Sequence, residues 1–162
     1  PDARLIIAGS GEEDASLKNL TKRLVLEQYV EFKGRVSDED KVALLQRALV
    51  LVNPSFMEGW GITTIEANAC GTPVIASDVP GLRDSVRDGE TGYLVPRGDV
   101  DAFSDKIIKI ISDKKLREKM GREGVNWAQN FDWNKTSGMF MSIVSQNFPE
   151  SGLGLLDSKQ IL

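Results

Sequence analysis

Histidine is absent from the 162-residue chain, and cysteine occurs once, as Cys70. Without histidine the commonest general base and the commonest metal ligand are both missing, so any chemistry must rest on carboxylates, backbone groups or residues supplied from elsewhere. A single cysteine excludes an internal disulfide framework. No apolar run approaches the length of a membrane span and no leader pattern opens the sequence, which makes a cytoplasmic location the expectation. A surplus of positive charge is lacking too: the net charge is -4 and the sequence pI is near 5.0. That argues against a nucleic-acid-binding surface, which needs clustered Lys and Arg. The densest basic stretch, Lys106 to Arg122, is interleaved with Asp105, Asp113 and Glu118 and reads as solvated helix faces, a membrane-surface contact being the alternative.

What is present is an ordinary globular composition, 41% hydrophobic and 27% charged, enough for one α/β core. Arg4 to Ala8 is a short apolar run delivered into Gly9-Ser10-Gly11, the pattern of a buried parallel strand entering a glycine-rich turn. A helix follows with Leu17, Leu20 and Leu24 on its core face. Val30 to Lys33 reads as a second strand stopped at Gly34-Arg35, and Ser37 caps a helix with Leu44, Leu45 and Ala48 inward. A third strand spans Leu49 to Asn53, and a helix starting near Gly61 places Ile62, Ile65 and Ala69 on one side. Pro73 to Ser77 is a fourth strand, Tyr93 to Val95 a fifth, and helices capped by Asp99, Asp113 and Asp132 complete the order.

Alternating strands and helices imply a doubly wound, Rossmann-like parallel sheet with C-terminal helices. In such sheets ligands lie beyond the carboxyl ends of the strands, where Gly9-Ser10-Gly11, Gly34-Arg35, Ser55 to Gly61 and Asp78 to Gly81 all fall. The expected division is a Rossmann-like domain over 1–148 and a tail over 149–162. Trp127 and Trp133 read as core or interface anchors, and Cys70 as a small packed residue.

The segment Pro54 to Ala76, PSFMEGWGITTIEANACGTPVIA, carries the chemistry. Gly59 and Gly61 bracket Trp60 where a loop becomes a helix, so backbone N–H groups are uncovered and a phosphate can approach them. Glu58 and Glu66 flank that junction, separated by at most roughly 12 Å of helix rise. Two carboxylates so placed can accept hydroxyls at either end of a folded nucleotide-sugar, with the diphosphate between them.

This segment resembles the E-x7-E signature of the GT-B retaining glycosyltransferases of family 4, the glycosyl transferases group 1 class. The resemblance runs from LIIAGSG through VEFKGRV to FDW. It implies a transferase, with Glu58 as the catalytic residue reaching the donor sugar. It also implies that Glu66 binds the nucleotide ribose, and that the amides of Gly59, Trp60, Gly61 and Ile62 lie against sugar and diphosphate. Gly34, Arg35 and Val36 match the loop that faces the base, and Gly9 joins the donor-binding set. No metal or other cofactor is implied beyond the nucleoside diphosphate sugar itself. The acceptor, a sugar, lipid or polysaccharide, is expected on an N-terminal domain, with peripheral membrane contact open to the full-length enzyme.

Two departures accompany the match. Arg83-Asp84 stands where the family has a Pro-Glu pair, and the family's diphosphate-neutralising Arg and Lys belong to a first strand and helix upstream of Pro1. Without that central strand the resemblance predicts a gap or a forced new pairing beside the RLIIA strand, and an isolated chain that is unstable or associates through that edge. Two other readings share these residues: a non-catalytic Rossmann-like binding module, and a retaining glycosyl phosphorylase.

Overall fold

A computed structural model describes residues 3–147. Five parallel strands alternate with helices: β1 (Leu5–Ala8), α1 (Asp14–Arg23), β2 (Val30–Gly34), α2 (Asp38–Arg47), β3 (Leu51–Asn53), α3 (Ile62–Ala69), β4 (Val74–Ser77), α4 (Leu82–Ser85) and β5 (Gly92–Val95). Three helices follow, α5 (Val100–Ser112), α6 (Lys114–Ala128) and α7 (Trp133–Asn147). The α/β class and the order of elements are those expected from the sequence. The proposed tail over 149–162 lies outside the described residues.

Local chemistry explains the helix starts. Ser37 accepts from Asp40 N–H, Asp99 from Ala102 N–H, Asp113 from Leu116 N–H, and Asp132 from Asn134 and Lys135 N–H. Each cap satisfies an amide that the first helical turn leaves without an acceptor.

The strands form two sheets, β1 with β2 and β3-β4-β5, every pairing parallel. β1 and β3 are therefore both edges, as expected of a Rossmann-like order with its central position open. The core sits on both faces of the larger sheet. Ala67, Val74, Ala76, Val79, Leu82 and Val86 cluster with Leu45 of α2, while Ile75, Val95, Ile110 and Met120 cluster beneath α5 and α6. α3 and α6 approach closely because two glycines on α6 let them: a Cβ on Gly121 would strike the carbonyl of Gly71, and one on Gly124 would meet the side chain of Asn68.

Several burial expectations are corrected. β1 is not a buried strand, since Leu5, Ile6 and Ala8 are exposed, and Ala48 is exposed instead of inward because it is the C-cap of α2, where the backbone leaves the helix. Leu17, Leu20 and Leu24 are exposed, because α1 has only the two-stranded sheet to cover and that sheet's own Leu5 and Ile6 are exposed as well. Of the three residues expected on the core side of α3 only Ile65 is buried: Ile62 is 66% exposed at the open first turn, Ala69 is exposed at the last, and the buried positions are Thr64, Ile65, Ala67 and Asn68. Trp133, 87% exposed, is not a core residue, which leaves it the interface alternative, whereas Trp127 is half-buried.

Candidate functional site

The Ser55–Gly61 loop connects β3 to α3 at the carboxyl end of the larger sheet. Asn53 begins it by accepting Ser55 N–H at 3.2 Å, and the Ser55 hydroxyl donates to Glu58 Oε1 at 3.2 Å. That bond restrains a half-buried carboxylate. Gly61 ends the loop as the N-cap of α3, in a left-handed conformation with φ 72° and ψ 52°, and gives no side-chain cap. Among the described residues the N–H groups of Gly59, Trp60, Gly61 and Ile62 reach no acceptor. Four donors are thus left without an acceptor at the electropositive end of a helix, an arrangement suited to an anion.

The loop is held on three sides. Gly81, with φ 84°, packs against the Glu58–Gly59 peptide so closely that a Cβ there would lie 2.9 Å from both the carbonyl carbon and the oxygen of Gly59 and would collide with Glu58 O. A Cβ on Gly61 would lie 2.6 Å from Leu82 Cδ2 and 3.0 Å from Ser85 Oγ. Thr64 Oγ1 lies 2.6 Å from Gly61 O and 2.8 Å from Ser85 Oγ, tying the first turn of α3 to α4. On the third side Trp60 meets Phe131 edge-on at 4.6 Å between ring centroids, and Phe131 meets Trp127 at 4.8 Å. Trp127 in turn donates from Nε1 to Ser85 O at 3.0 Å, so α4, α6 and the loop brace one another.

Glu66 lies farther along α3, half-buried, with Lys41 Nζ of α2 at 2.8 Å from its Oε1. Hydrogen bonds from Lys41 to Glu66 and Asp38 raise the lysine above its ordinary pKa, keeping it charged. Desolvation, helped by the Glu66 charge, raises the Cys70 thiol, which packs against the core.

The other sequence-predicted residues assemble at the smaller sheet. Gly9, in a positive-φ conformation, donates its N–H to Gly34 O at 2.7 Å, and Arg35 Nε donates to Ser10 Oγ at 3.2 Å. Arg35 is exposed, while Gly34 and Val36 are half-buried. No hydrogen bond joins this Gly9–Arg35 pair of loops directly to the Ser55–Gly61 loop among the described residues. The link between them runs through α2, which starts just after Val36 and carries Lys41 to Glu66. Arg83, at the departure from the family pattern, bonds Asp78 and holds that carboxyl below its usual range.

Sequence reasoning did not single out Lys41, Ser55 as the partner of Glu58, or the contact of Gly81 with the Glu58–Gly59 peptide. The Lys41 and Gly81 contacts join residues far apart in sequence, and only the Ser55–Glu58 pair lies within one local loop. Among the described residues no group of three or more His, Cys, Asp or Glu side chains is arranged to hold a metal ion, and no helix is long and apolar enough to cross a membrane.

Acceptor-free amides at a loop-to-helix junction of a Rossmann-like sheet define a broad class. Residues 1–127 match the family model described as glycosyl transferases group 1, and the chain belongs to that family. It is 36% identical over 143 residues to the phosphatidyl-myo-inositol mannosyltransferase of Mycobacterium leprae, covering 88% of this chain and 37% of that protein. Among solved structures, sucrose-phosphate synthase from Thermosynechococcus elongatus superposes with a TM-score of 0.81 at 33% identity, over 90% of this chain and 38% of that one. Anabaena HepE in complex with UDP-glucose superposes with a TM-score of 0.81 at 26% identity, over 90% and 42%. The chain thus spans about two fifths of the length of the proteins it resembles.

Proposed function

We propose that this chain is the donor-binding domain of a retaining glycosyltransferase that takes a sugar from a nucleoside diphosphate sugar and delivers it to an acceptor held by another domain. The observation that carries the reading is the row of four acceptor-free amides from Gly59 to Ile62, fixed by Gly81 beneath and the left-handed Gly61 at its end. Amides locked in place lose no freedom when a pyrophosphate arrives, and they remain aimed at it as negative charge builds on the leaving group.

In this reading Glu66 accepts the ribose hydroxyls and Glu58, restrained by Ser55, accepts hydroxyls of the donor sugar next to the reacting carbon. Gly34, Arg35 and Val36 face the base, and Gly9 belongs to the same edge. The bond from the anomeric carbon to the diphosphate oxygen breaks on the face where the acceptor oxygen adds. The departing diphosphate takes the acceptor's proton, so neither a protein nucleophile nor a metal is required. HepE's complex with UDP-glucose supports a nucleotide-sugar donor. The acceptor is a sugar, lipid or polysaccharide, and the enzyme works in the cytoplasm with a peripheral membrane contact where the acceptor is a lipid.

Isothermal titration of the purified protein with UDP, GDP and ADP tests the reading. One of the three should bind saturably, and Glu66→Ala should weaken it by roughly 10- to 100-fold, the equivalent of hydrogen bonds to a charged group. Failure of all three to bind, or an unchanged affinity in Glu66→Ala, refutes it.

A further inference from the structure

Lys41 stands in the first half of α2 and contributes to no hydrophobic core cluster. Its ammonium lies between two carboxylates, 2.8 Å from Glu66 and 3.2 Å from Asp38. The two contacts differ in kind. Asp38 is 92% exposed at its side chain and belongs to the same helix, so its bond is readily exchanged for water. Glu66 is on another helix, and both Lys41 and Glu66 keep only 34% of their side-chain surface exposed, which makes this the durable contact. It engages Oε1 alone. Glu66 Oε2 reaches no protein donor among the described residues.

A carboxylate has about four acceptor sites on its two oxygens, so pinning one oxygen leaves the other with a defined direction instead of a free rotation. Such a group is prepared for a pair of neighbouring hydroxyls. The geometry points to Lys41 as a positioning residue for nucleotide recognition: it fixes Glu66 so that the unengaged oxygen accepts the vicinal diol of the ribose. This inference rests on the ribose reading of Glu66 given above. It adds a coupling that the reading lacks. α2 begins immediately after Val36, so the helix that ends the base-facing loop also sets the ribose acceptor, and base and ribose are read by one connected element.

The experiment compares a ribonucleoside diphosphate with its 2′,3′-dideoxy counterpart, same base, by titration calorimetry on wild type, Lys41→Met, Lys41→Arg and Glu66→Ala. Wild type should prefer the ribonucleotide and Glu66→Ala should lose the preference. Lys41→Met should reduce it roughly tenfold while leaving the dideoxy affinity unchanged, the scale of one charge-assisted hydrogen bond, and Lys41→Arg should restore most of it. A merely structural lysine would weaken both ligands alike. An unchanged preference in Lys41→Met, with the preference lost in Glu66→Ala, overturns the role of Lys41 alone. A preference that rises in Lys41→Met also overturns it, since the lysine would then compete with the ribose for the carboxylate. A preference that survives Glu66→Ala overturns the ribose reading itself.

Discussion

Replacing Gly81 with alanine probes the contact on which the anion site rests. Two costs follow from the structure. The backbone at this position has φ 84° and ψ -48°, outside the left-handed helical region, a conformation that costs an L-residue with a Cβ roughly 1–3 kcal/mol. The added carbon would also lie 2.9 Å from Gly59 C and O and would overlap Glu58 O. Because those atoms are backbone, no side chain can rotate away, and forcing packed groups apart costs roughly 1–3 kcal/mol more. The combined destabilisation is about 2–6 kcal/mol, which at roughly 3 °C per kcal/mol for a chain of this size lowers the melting temperature by about 6–18 °C. Gly89→Ala supplies the control: its φ is 76°, yet a Cβ there would meet nothing within 4 Å. That variant should lose only the conformational part, about 3–6 °C. Scanning calorimetry of the two variants isolates the steric contribution of Gly81, and nucleotide titration should find affinity damaged in Gly81→Ala and intact in Gly89→Ala. Equal melting temperatures for the two variants would refute the claim that Gly81 sets the position of the Glu58–Gly59 peptide.

Two further predictions concern the surroundings of the loop. A double-mutant cycle on Trp60→Ala and Phe131→Ala should give a coupling of roughly 0.5–1.5 kcal/mol in unfolding free energy, the ordinary value of an edge-to-face pair; additive losses would mean the rings do not brace each other. The carboxyl of Asp78 is held below its usual range by its hydrogen bond from Arg83, so its contribution to stability is present above the unfolded carboxylate pKa and is lost as pH falls through the lower folded value. Acid unfolding followed by circular dichroism should therefore be less steep in Arg83→Leu than in wild type, and coincident acid limbs would contradict the pairing.

Much of this molecule was legible from its residues because the signals are local. The caps at Ser37, Asp99, Asp113 and Asp132 each act within a few residues, and all four form as the sequence suggested. The glycine-bracketed junction at Trp60 was equally readable, since a left-handed Gly61 and unprotected amides are properties of one short segment. Burial was read less well. The pattern of α1 puts Leu17, Leu20 and Leu24 on an apolar face that the structure leaves exposed, because periodicity cannot tell whether a neighbouring element is there to cover it. Ile62 fits the spacing of a core position and is exposed because the helix begins at that residue, leaving no preceding turn to shelter it. Lys41 had no signal at all: on its own helix it is one charged residue among several, and only the packing of α2 beside α3 brings it to Glu66.

The division of the strands into two separate ladders bears on how the chain opens. Leu45, seated in the core of the larger sheet with its carbonyl accepting from the buried Thr72 hydroxyl, fastens α2 to one side of the division, while β1, β2 and α1 stay on the other with Leu5, Ile6, Leu17 and Leu20 in water. Amide protons of the smaller ladder should then exchange with deuterium through excursions that leave β3, β4 and β5 undisturbed. The polypeptide would carry two distinct resistances to opening, the lower one beside Gly9 and Gly34, and the residues assigned to the nucleobase would sit on the part that yields first.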